Sequence, residues 1–164
     1  MQALSREAFA PFGWLPSTEG DEHDKGNSLA FAWADAHLNY IAHRADEIER
    51  TPGGAVVDRL YRHATHTQAL MPINTDAVFV VAPAGTGFTS EADVHSLRGF
   101  VVHPLDVVVL DQGTWHWGPF PVGDEPVRLL NLQGRRYQED NDSVDPGLAT
   151  GVRVVMQIPR PRER

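Results

Sequence analysis

The sequence predicts an all-β protein, an antiparallel sandwich or barrel that forms one domain over residues 1–164. Roughly nine short runs of apolar, β-branched and aromatic residues follow one another about 8–12 residues apart, with turn residues between them. The alternation of strands with long helices that is typical of a parallel α/β sheet is absent. A length of 164 residues suits one hydrophobic core and is short for two.

The individual elements follow from local residue patterns. Ser5 can cap a short N-terminal helix, which a proline and a glycine soon end. A polar, acidic stretch predicts a loop at 17–27, and the proline-broken, arginine-rich end predicts a flexible tail at 159–164. Segment 35–50 is the only other helical candidate, although its helical periodicity is poor. The predicted strands lie at 29–33, 38–43, 55–63, 67–73, 78–82, 98–103, 107–111, 127–132 and 152–158.

Composition excludes several classes of function. Lys and Arg number 14 against 22 Asp and Glu, a net charge of −8, and nucleic acid as a partner would require a basic surface. The chain has no cysteine, which excludes disulfides, cysteine-based zinc sites, iron–sulfur clusters and thiol catalysis. No segment approaches the ~20 apolar residues that span a bilayer, and residues 1–14 show no signal-peptide pattern. We therefore expect a cytoplasmic protein with no membrane partner.

Two of the eight histidines stand in informative contexts. His63 ends a predicted strand in which Arg59 and Tyr61 share its face, because side chains alternate along a strand. Gln68 follows five residues later, beyond a predicted turn. His116 follows a predicted strand that runs into an Asp–Gln–Gly turn. Imidazole acts as an acid, a base or a metal ligand near neutral pH, so these positions are candidates for chemistry.

The spacing of these residues resembles the two motifs of the cupin barrels. Tyr61, His63 and Gln68 stand where the first motif has two histidines and a glutamate. Gly113 and His116 stand where the second motif has its glycine and histidine. The resemblance implies a double-stranded β-barrel of the jelly-roll type with a short N-terminal helix. Both His63 and His116 are retained, whereas the other two ligand positions differ from the motif.

A closer resemblance, to the ureidoglycolate lyases, extends over most of the chain. The similar segments are 4–13, 62–63, 67–73, 79–83, 97–100 and 113–116. These are small cupin-type enzymes that split ureidoglycolate into glyoxylate and urea during allantoin and purine nitrogen catabolism. The chain departs from the family at 110–111 and at 117–119, where the family has Tyr-His and His-Pro.

The resemblance implies the roles of the candidate residues. Histidine is a suitable base near neutral pH, and the planar guanidinium of arginine binds a carboxylate through both oxygens. A divalent metal such as nickel, zinc or iron could be held weakly, or be absent. We therefore expect a small anionic substrate and a homodimer. The predicted catalytic residues are His63, His116 and Gln68, which would also be the metal ligands; the predicted substrate-binding residues are Tyr61, Arg59, Arg98 and Trp115.

Several alternatives stay open. The enzyme could act on another small hydroxy or ureido acid, or the protein could be a non-catalytic cupin that binds a small carboxylate as a sensor or assembly module. Other cupin reactions, such as sugar isomerisation or dioxygenation, are weaker options. His66 could lie at the surface or in the site, and Asp111 could shape a turn or replace a missing ligand. Arg62 should point away from His63, and the acidic segment 139–145 reads as a solvated face. The remaining histidines read as surface or structural residues.

Overall fold

Two antiparallel sheets of five strands each form the body of the protein, and a three-stranded sheet covers part of one of them. The structure, a computed structural model, describes residues 1–18 and 26–159. Most of the loop predicted at 17–27 and of the tail predicted at 159–164 therefore lies outside the described residues.

The regular elements are short. The helices are α1 (Arg6–Phe9), α2 (Glu91–Val94) and α3 (Pro146–Thr150), and a 3-10 turn spans Ala45–Glu47. The strands are β1 (Gly13–Trp14), β2 (Ala36–His43), β3 (Arg50–Thr51), β4 (Gly54–Val56), β5 (Leu60–His63), β6 (Gln68–Pro72), β7 (Ala77–Ala82), β8 (Arg98–Val102), β9 (Val108–Leu110), β10 (Trp115–Pro121), β11 (Val127–Gly134), β12 (Asn141–Val144) and β13 (Val155–Met156). Within the two described ranges, every helix falls short of the length and apolar character needed to cross a membrane.

The order of the strands defines the architecture. The first sheet has the order β1-β9-β6-β11-β2, and the second has the order β12-β5-β10-β7-β8. From β5 to β12 the chain crosses repeatedly from one sheet to the other, so that consecutive strands rarely pair with each other. This is the double-stranded barrel of the cupin type. The predicted all-β fold with a short N-terminal helix is confirmed.

The hydrophobic core explains why the space between the sheets is closed at one end. β7 is buried along its whole length, as its continuous apolar run predicts. Phe79 faces the space between the two sheets, where it packs with Phe100 and with Phe9 of α1. Val78 and Val80 face the other way, against the small sheet β13-β4-β3. These clusters leave the opposite end of the barrel to polar side chains.

Several predicted elements are wrong in detail, for identifiable reasons. The predicted strand 29–33 is a single bridge between Phe31 and His66. The predicted strand 55–63 splits into β4 and β5, because the chain leaves the small sheet after β4 and joins the second large sheet at β5. The helical candidate 35–50 is β2 and a 3-10 turn, since β2 carries apolar residues on both faces and so hides its alternation. Strands β1, β3, β10 and β12 were not predicted, nor were the one-turn helices α2 and α3.

Candidate functional site

A cavity of about 550 Å³ opens between the two large sheets, at the end that the apolar clusters leave free. Both sheets supply its walls. Its polar lining includes Asn39, Arg59, Tyr61, His63, Gln68, His116, Asn131, Gln133 and Tyr137. The structure therefore brings the predicted residues Tyr61, His63, Gln68 and His116 to one cavity.

Strand pairing explains how the two cupin-like motifs meet. Tyr61 and His63 face inward from β5, and His116 of the neighbouring strand β10 pairs with Tyr61. The turn before β10 adds a direct link, because the backbone N–H of Gly113 donates to the carbonyl oxygen of His63 at 2.7 Å. Gly113 has a φ of 79°, a left-handed conformation that glycine adopts without steric cost. The glycine of the second motif thus holds the histidine of the first.

Three imidazoles lie together on the side of the cavity that the second sheet forms, and we call them the imidazole wall: His63, His66 and His116. His63 of β5 and His116 of β10 line the cavity, whereas His66, in the turn after β5, stacks on His63 and is not one of the lining residues. The rings of His63 and His66 stack, with centroids 4.5 Å apart and an interplanar angle of 21°. The ring of His116 is tilted against His63 at 5.5 Å. All three residues are at least nine-tenths buried, with exposed fractions of 7%, 2% and 7% for His63, His66 and His116.

Burial keeps these rings neutral near pH 7. It lowers the pKa of His63 to about 3, helped by the nearby His116 and His66 and opposed by Asp140. Burial also lowers the pKa of His116 to about 4, although the carbonyl of Thr114 opposes the shift. The pKa of His66 is lowered as well, again mainly by burial. A neutral imidazole keeps one unprotonated nitrogen, so each ring can accept a proton or a ligand.

The hydrogen bonds of the imidazole wall indicate which nitrogens are available. Nδ1 of His116 lies 3.2 Å from the carbonyl oxygen of Thr114. A carbonyl only accepts, so the neutral ring carries its proton on Nδ1 and has its lone pair on Nε2. Nδ1 of His63 and Nε2 of His66 are buried without a hydrogen-bond partner, whereas Nδ1 of His66 lies 3.2 Å from a carboxylate oxygen of Asp140. Buried polar atoms are normally paired, so these nitrogens are candidates for contact with a ligand.

The first sheet contributes a second wall made of carboxamides, which we call the amide wall: Asn39, Gln68, Asn131 and Gln133. Nε2 of Gln68 donates to Oδ1 of Asn131 at 2.9 Å and to Oε1 of Gln133 at 3.3 Å. Nδ2 of Asn131 in turn donates to Oδ1 of Asn39 at 2.8 Å. Oε1 of Gln68 is buried and has no hydrogen-bond partner.

One group at the site could hold a metal ion. His63, His66 and Asp140 place ligand atoms within 4.8 Å of one another. Two neutral imidazoles and a carboxylate suit a divalent transition metal. The predicted ligands Gln68 and His116 do not belong to this group.

Asp140 has a structural task besides this one. Its carboxylate accepts hydrogen bonds from the backbone N–H of Ala64 at 3.0 Å and of Thr65 at 2.9 Å, and from the Thr65 hydroxyl. Burial raises the pKa of Asp140, but these hydrogen bonds outweigh it and leave the pKa below its usual range. The carboxylate has little capacity left for a metal, and the stacked rings of His63 and His66 do not aim their in-plane lone pairs at one point. The group fits a metal by its chemistry but would hold it weakly.

The predicted substrate-binding residues divide between the cavity and other places. Arg59 lines the cavity, and its Nη1 lies 3.4 Å from the hydroxyl oxygen of Tyr61. Arg98 lies elsewhere, donating to the backbone carbonyls of His95 at 2.6 Å and Leu97 at 2.9 Å. It lies on β8, at the far edge of the second sheet from Tyr61, and lines a separate hollow beside α1. Arg59 is thus the one arginine among the residues described that lines the cavity.

Trp115 also lies outside the cavity. It precedes His116 in β10, and strand alternation turns it to the opposite face of the sheet. There its indole N–H donates to the carbonyl of Thr86 at 2.9 Å, and the guanidinium of Arg62 lies 4.3 Å above its ring. Arg62 also pairs with Asp142, on the side of β5 that faces away from the cavity.

Sequence reasoning missed several cavity residues and did not decide the place of His66. Asn131 and Gln133 continue the inward-facing row that Val127 and Leu129 begin in β11, and this change from apolar to polar residues on one face was the available signal. His66 lies in the turn after β5, where no periodicity indicates direction. It is buried because Gly134 leaves room for its ring: a Cβ atom there would lie 2.9 Å from Nδ1 of His66. His43 lines the cavity as well, although it was expected to be a surface or structural residue.

Comparisons with known proteins show the family of the chain. The family described as ureidoglycolate lyase matches residues 1–150. The chain is 31% identical over 125 residues to the ureidoglycolate lyase of Pseudomonas syringae pv. syringae (strain B728a), a match that covers 71% of each chain. It is 30% identical over 128 residues to that of Pseudomonas savastanoi pv. phaseolicola (strain 1448A / Race 6), again covering 71% of each chain.

Two solved structures are also similar. One is the dTDP sugar isomerase from Desulfovibrio desulfuricans G20, with 13% identity, a TM-score of 0.48 and coverage of 83% of this chain and 87% of that chain. The other is the oxalate decarboxylase formate complex of Lactobacillus farciminis, with 13% identity, a TM-score of 0.43 and coverage of 72% of this chain and 30% of that chain.

Proposed function

The chain belongs to the ureidoglycolate lyase family, and from this premise we propose that it eliminates urea from ureidoglycolate to give glyoxylate, a step in the breakdown of allantoin. One observation carries the proposal: His63 and His116, far apart in the sequence, line one cavity together with Gln68. Neutral imidazoles on one wall and carboxamides on the other suit a substrate that exchanges a proton and carries a urea group.

The reaction needs one proton to move between two atoms on the same carbon. The substrate carbon carries a hydroxyl, a carboxylate and the nitrogen of the urea group. A base removes the hydroxyl proton, the carbon–oxygen double bond of glyoxylate forms, and the carbon–nitrogen bond breaks. The electron pair of that bond goes to the urea nitrogen, which takes up a proton. The site therefore ends with the number of protons it started with.

His116 is the base in this proposal. Its Nδ1–H donates to the carbonyl of Thr114, which leaves the lone pair of Nε2 to accept the hydroxyl proton. The resulting imidazolium can return that proton to the departing nitrogen, since oxygen and nitrogen are bonded to the same carbon. A bound carboxylate favours protonated imidazole, so substrate raises the pKa of His116 from about 4 towards working pH.

The remaining groups bind and orient. His63, tilted against His116 with ring centroids 5.5 Å apart, supplies a second neutral ring that can hydrogen-bond the hydroxyl or the inner N–H of the substrate. Arg59 and the Tyr61 hydroxyl bind the carboxylate, because a guanidinium can donate to both oxygens. Gln68 orients the urea group.

A weakly held divalent cation such as nickel, zinc or iron is compatible with this site. His63, His66 and Asp140 are the residues that would hold it, with His66 and Asp140 taking the places that sequence reasoning assigned to His116 and Gln68. A bound cation would lower the pKa of the substrate hydroxyl. His116 would still carry the proton, because it lies outside this group.

The proposed function predicts that purified protein releases glyoxylate and urea in equal amounts from ureidoglycolate. Glyoxylate is measured by its reduction with a coupled dehydrogenase, and urea is measured separately. A parallel sample without protein corrects for spontaneous decay of the substrate. If folded protein, with or without added nickel, zinc or iron, releases neither product above this background, the proposed function is wrong.

We further propose that the protein forms a homodimer through the outer face of the first sheet. Leu38 and Tyr40 of β2 are 60% and 72% exposed there. They pair with Leu132 and Leu130 of β11, and Leu130 pairs with Met71 of β6. These adjacent apolar side chains form a self-complementary patch suited to a two-fold interface. Light scattering should give about twice the 18.1 kDa of one chain, and Tyr40→Lys should reduce it. A single-chain mass for the unmodified protein would contradict the dimer.

A further inference from the structure

The amide wall has a direction that single residues do not show. Gln68 uses its NH₂ group on Asn131 and Gln133, and Asn131 uses its NH₂ group on Asn39. Each of these bonds runs from an NH₂ group to an oxygen, so the chain of amides is ordered from Gln68 towards Asn39. Both N–H donors of Gln68 are used inside the wall, and its oxygen is the atom left over.

Sheet register places these four amides on one surface. Asn131 of β11 pairs with Asn39 of β2 on one side and with Leu70 of β6 on the other. Gln133 and Gln68 stand two residues further along their strands on the same inward face, where Nε2 of Gln68 lies 3.3 Å from Oε1 of Gln133. Asn131 is fully buried, and Gln68 and Gln133 are 7% and 6% exposed.

A network that served only the fold would satisfy its own atoms. Buried carboxamides inside a sheet normally pair all of their polar atoms, because an unpaired buried acceptor is costly. Here Oε1 of Gln68, in a residue that lines the cavity, has no partner. The oxygen of Gln133 is used within the wall, so its NH₂ group remains as a donor. The wall therefore carries one unpaired acceptor, Oε1 of Gln68, and one NH₂ group, that of Gln133, for which the wall supplies no acceptor.

We propose that this pair of groups recognises the terminal carboxamide of a ureido substrate. Oε1 of Gln68 accepts from the terminal NH₂ group, and the NH₂ group of Gln133 donates to the carbonyl oxygen. Asn131 is a positioning residue, because its Oδ1 accepts from Nε2 of Gln68 and so fixes the orientation of the Gln68 carboxamide. The inference rests on the proposed function in naming the ureido group, and it adds how the site selects that group over a simple amide.

Two stable acids test the inference without any reaction. N-carbamoylglycine and N-acetylglycine carry the same carboxylate and the same inner amide, and they differ only in a terminal NH₂ or CH₃ group. Neither has the hydroxyl needed for elimination. Calorimetry on the full-length protein should give a dissociation constant at least about tenfold lower for N-carbamoylglycine, the effect expected of one lost hydrogen bond to a buried acceptor.

Three variants show which residues produce the difference between the two dissociation constants. Gln68→Met keeps the length of the side chain but removes the amide, and the ratio of the two dissociation constants should fall to about one. Asn131→Leu should lower the ratio partly, because Gln68 is then held only by Gln133. Gln112→Met, at an exposed turn outside the cavity, is the matched control and should leave the ratio unchanged. A merely structural role for Asn131 would weaken both ligands equally and leave the ratio as it was.

The outcomes separate this inference from the lyase activity. If the unmodified protein binds both acids equally, the inference is wrong. This measurement does not depend on whether the variants fold. Turnover of ureidoglycolate with equal binding would retain the lyase and reject the amide recognition. Selective binding of N-carbamoylglycine without turnover would support the recognition and reject the lyase.

Discussion

His63 and His116 of the imidazole wall face the same cavity as the amide wall, but the two walls respond differently to their surroundings. The imidazole wall is built of groups that can change charge, and burial holds them neutral. The amide wall is built of groups that have no charge to change, and hydrogen bonds hold their direction. The difference suggests a division of labour in which one sheet moves the proton and the other recognises the part of the substrate that leaves.

The largest expected effect is on kcat, and it should follow from a substitution in the imidazole wall. His116→Ala should lower kcat for ureidoglycolate by about 10²–10⁴, the usual contribution of a general base, while KM changes little. The measurement is steady-state glyoxylate release by protein whose fold is checked by circular dichroism. His95→Asn, at an exposed position outside the cavity, is the control and should behave as the unmodified protein. A kcat reduced less than about fivefold would remove His116 from the role of base.

The two walls should also differ in how they make the stability of the protein depend on pH. The unfolded chain protonates its histidines below about pH 6.5, whereas the folded protein holds His63 and His116 neutral down to pKa values of about 3 and 4. The free energy of unfolding should therefore have its full value above about pH 6.5, where the histidines are neutral in both states. It should decrease as the pH falls towards 4, because only the unfolded chain then takes up protons on these two rings. Each ring should account for about 2 kcal/mol of this loss by about pH 5.

Denaturant unfolding at several pH values measures this dependence. His63→Asn should flatten it, because the variant lacks one of the groups that take up a proton on unfolding. Asn131→Leu should change stability by the same amount at every pH, since a carboxamide does not titrate in this range. An unchanged pH slope in His63→Asn would show that its ring is not held neutral by the fold.

A smaller effect is expected at the mouth of the cavity. Arg59→Gln should raise KM for ureidoglycolate about tenfold, a modest value because the side chain is exposed and its charge is screened. Arg98→Gln should leave KM unchanged, because its guanidinium donates to backbone carbonyls outside the cavity. The opposite result, a raised KM only in Arg98→Gln, would reverse the assignment that the geometry supports.

The smallest effect concerns a metal. After dialysis against a chelator, Zn²⁺ at about 1 mM should raise the melting temperature by about 1–2 °C, as expected for a cation held with millimolar affinity. His66→Gln should abolish the shift, and Mg²⁺, which prefers oxygen ligands, should produce none. Saturation at micromolar Zn²⁺ would contradict weak holding, and no shift at all would reject the site.

The fold could largely be predicted because most strands carry a local signal. The run at 78–82 corresponds to β7, which is buried on both faces and so has no need of polar residues. β10 was missed because Gly118 and Pro119 lie in its middle and read as turn residues. β12 was missed because its exposed polar sequence carries no hydrophobic alternation, and its pairing with β5 is a long-range property.

The candidate site could be predicted where a motif or strand alternation fixed the direction of a side chain, as it did for Arg59. His63, His116 and Gln68 came from motif positions, and all three line the cavity. Similarity of a segment does not say which way a side chain points, so Arg98 and Trp115 were assigned to a cavity they do not reach. The other members of the amide wall, Asn39, Asn131 and Gln133, were missed because only the register of β2, β6 and β11 brings them together with Gln68.

The hydrogen bond from Gly113 to the carbonyl oxygen of His63 has a practical side for protein engineering. Transplanting the reactive rings into another β-scaffold would not suffice, since the tight bend that clamps one motif to the other determines how the rings meet. Any side chain at Gly113 would have to adopt a φ of 79° against Ala84, and the distortion would reach His63, which is distant in the sequence but hydrogen-bonded to Gly113. The two motifs therefore form a single structural unit, and one cannot be changed without affecting the other.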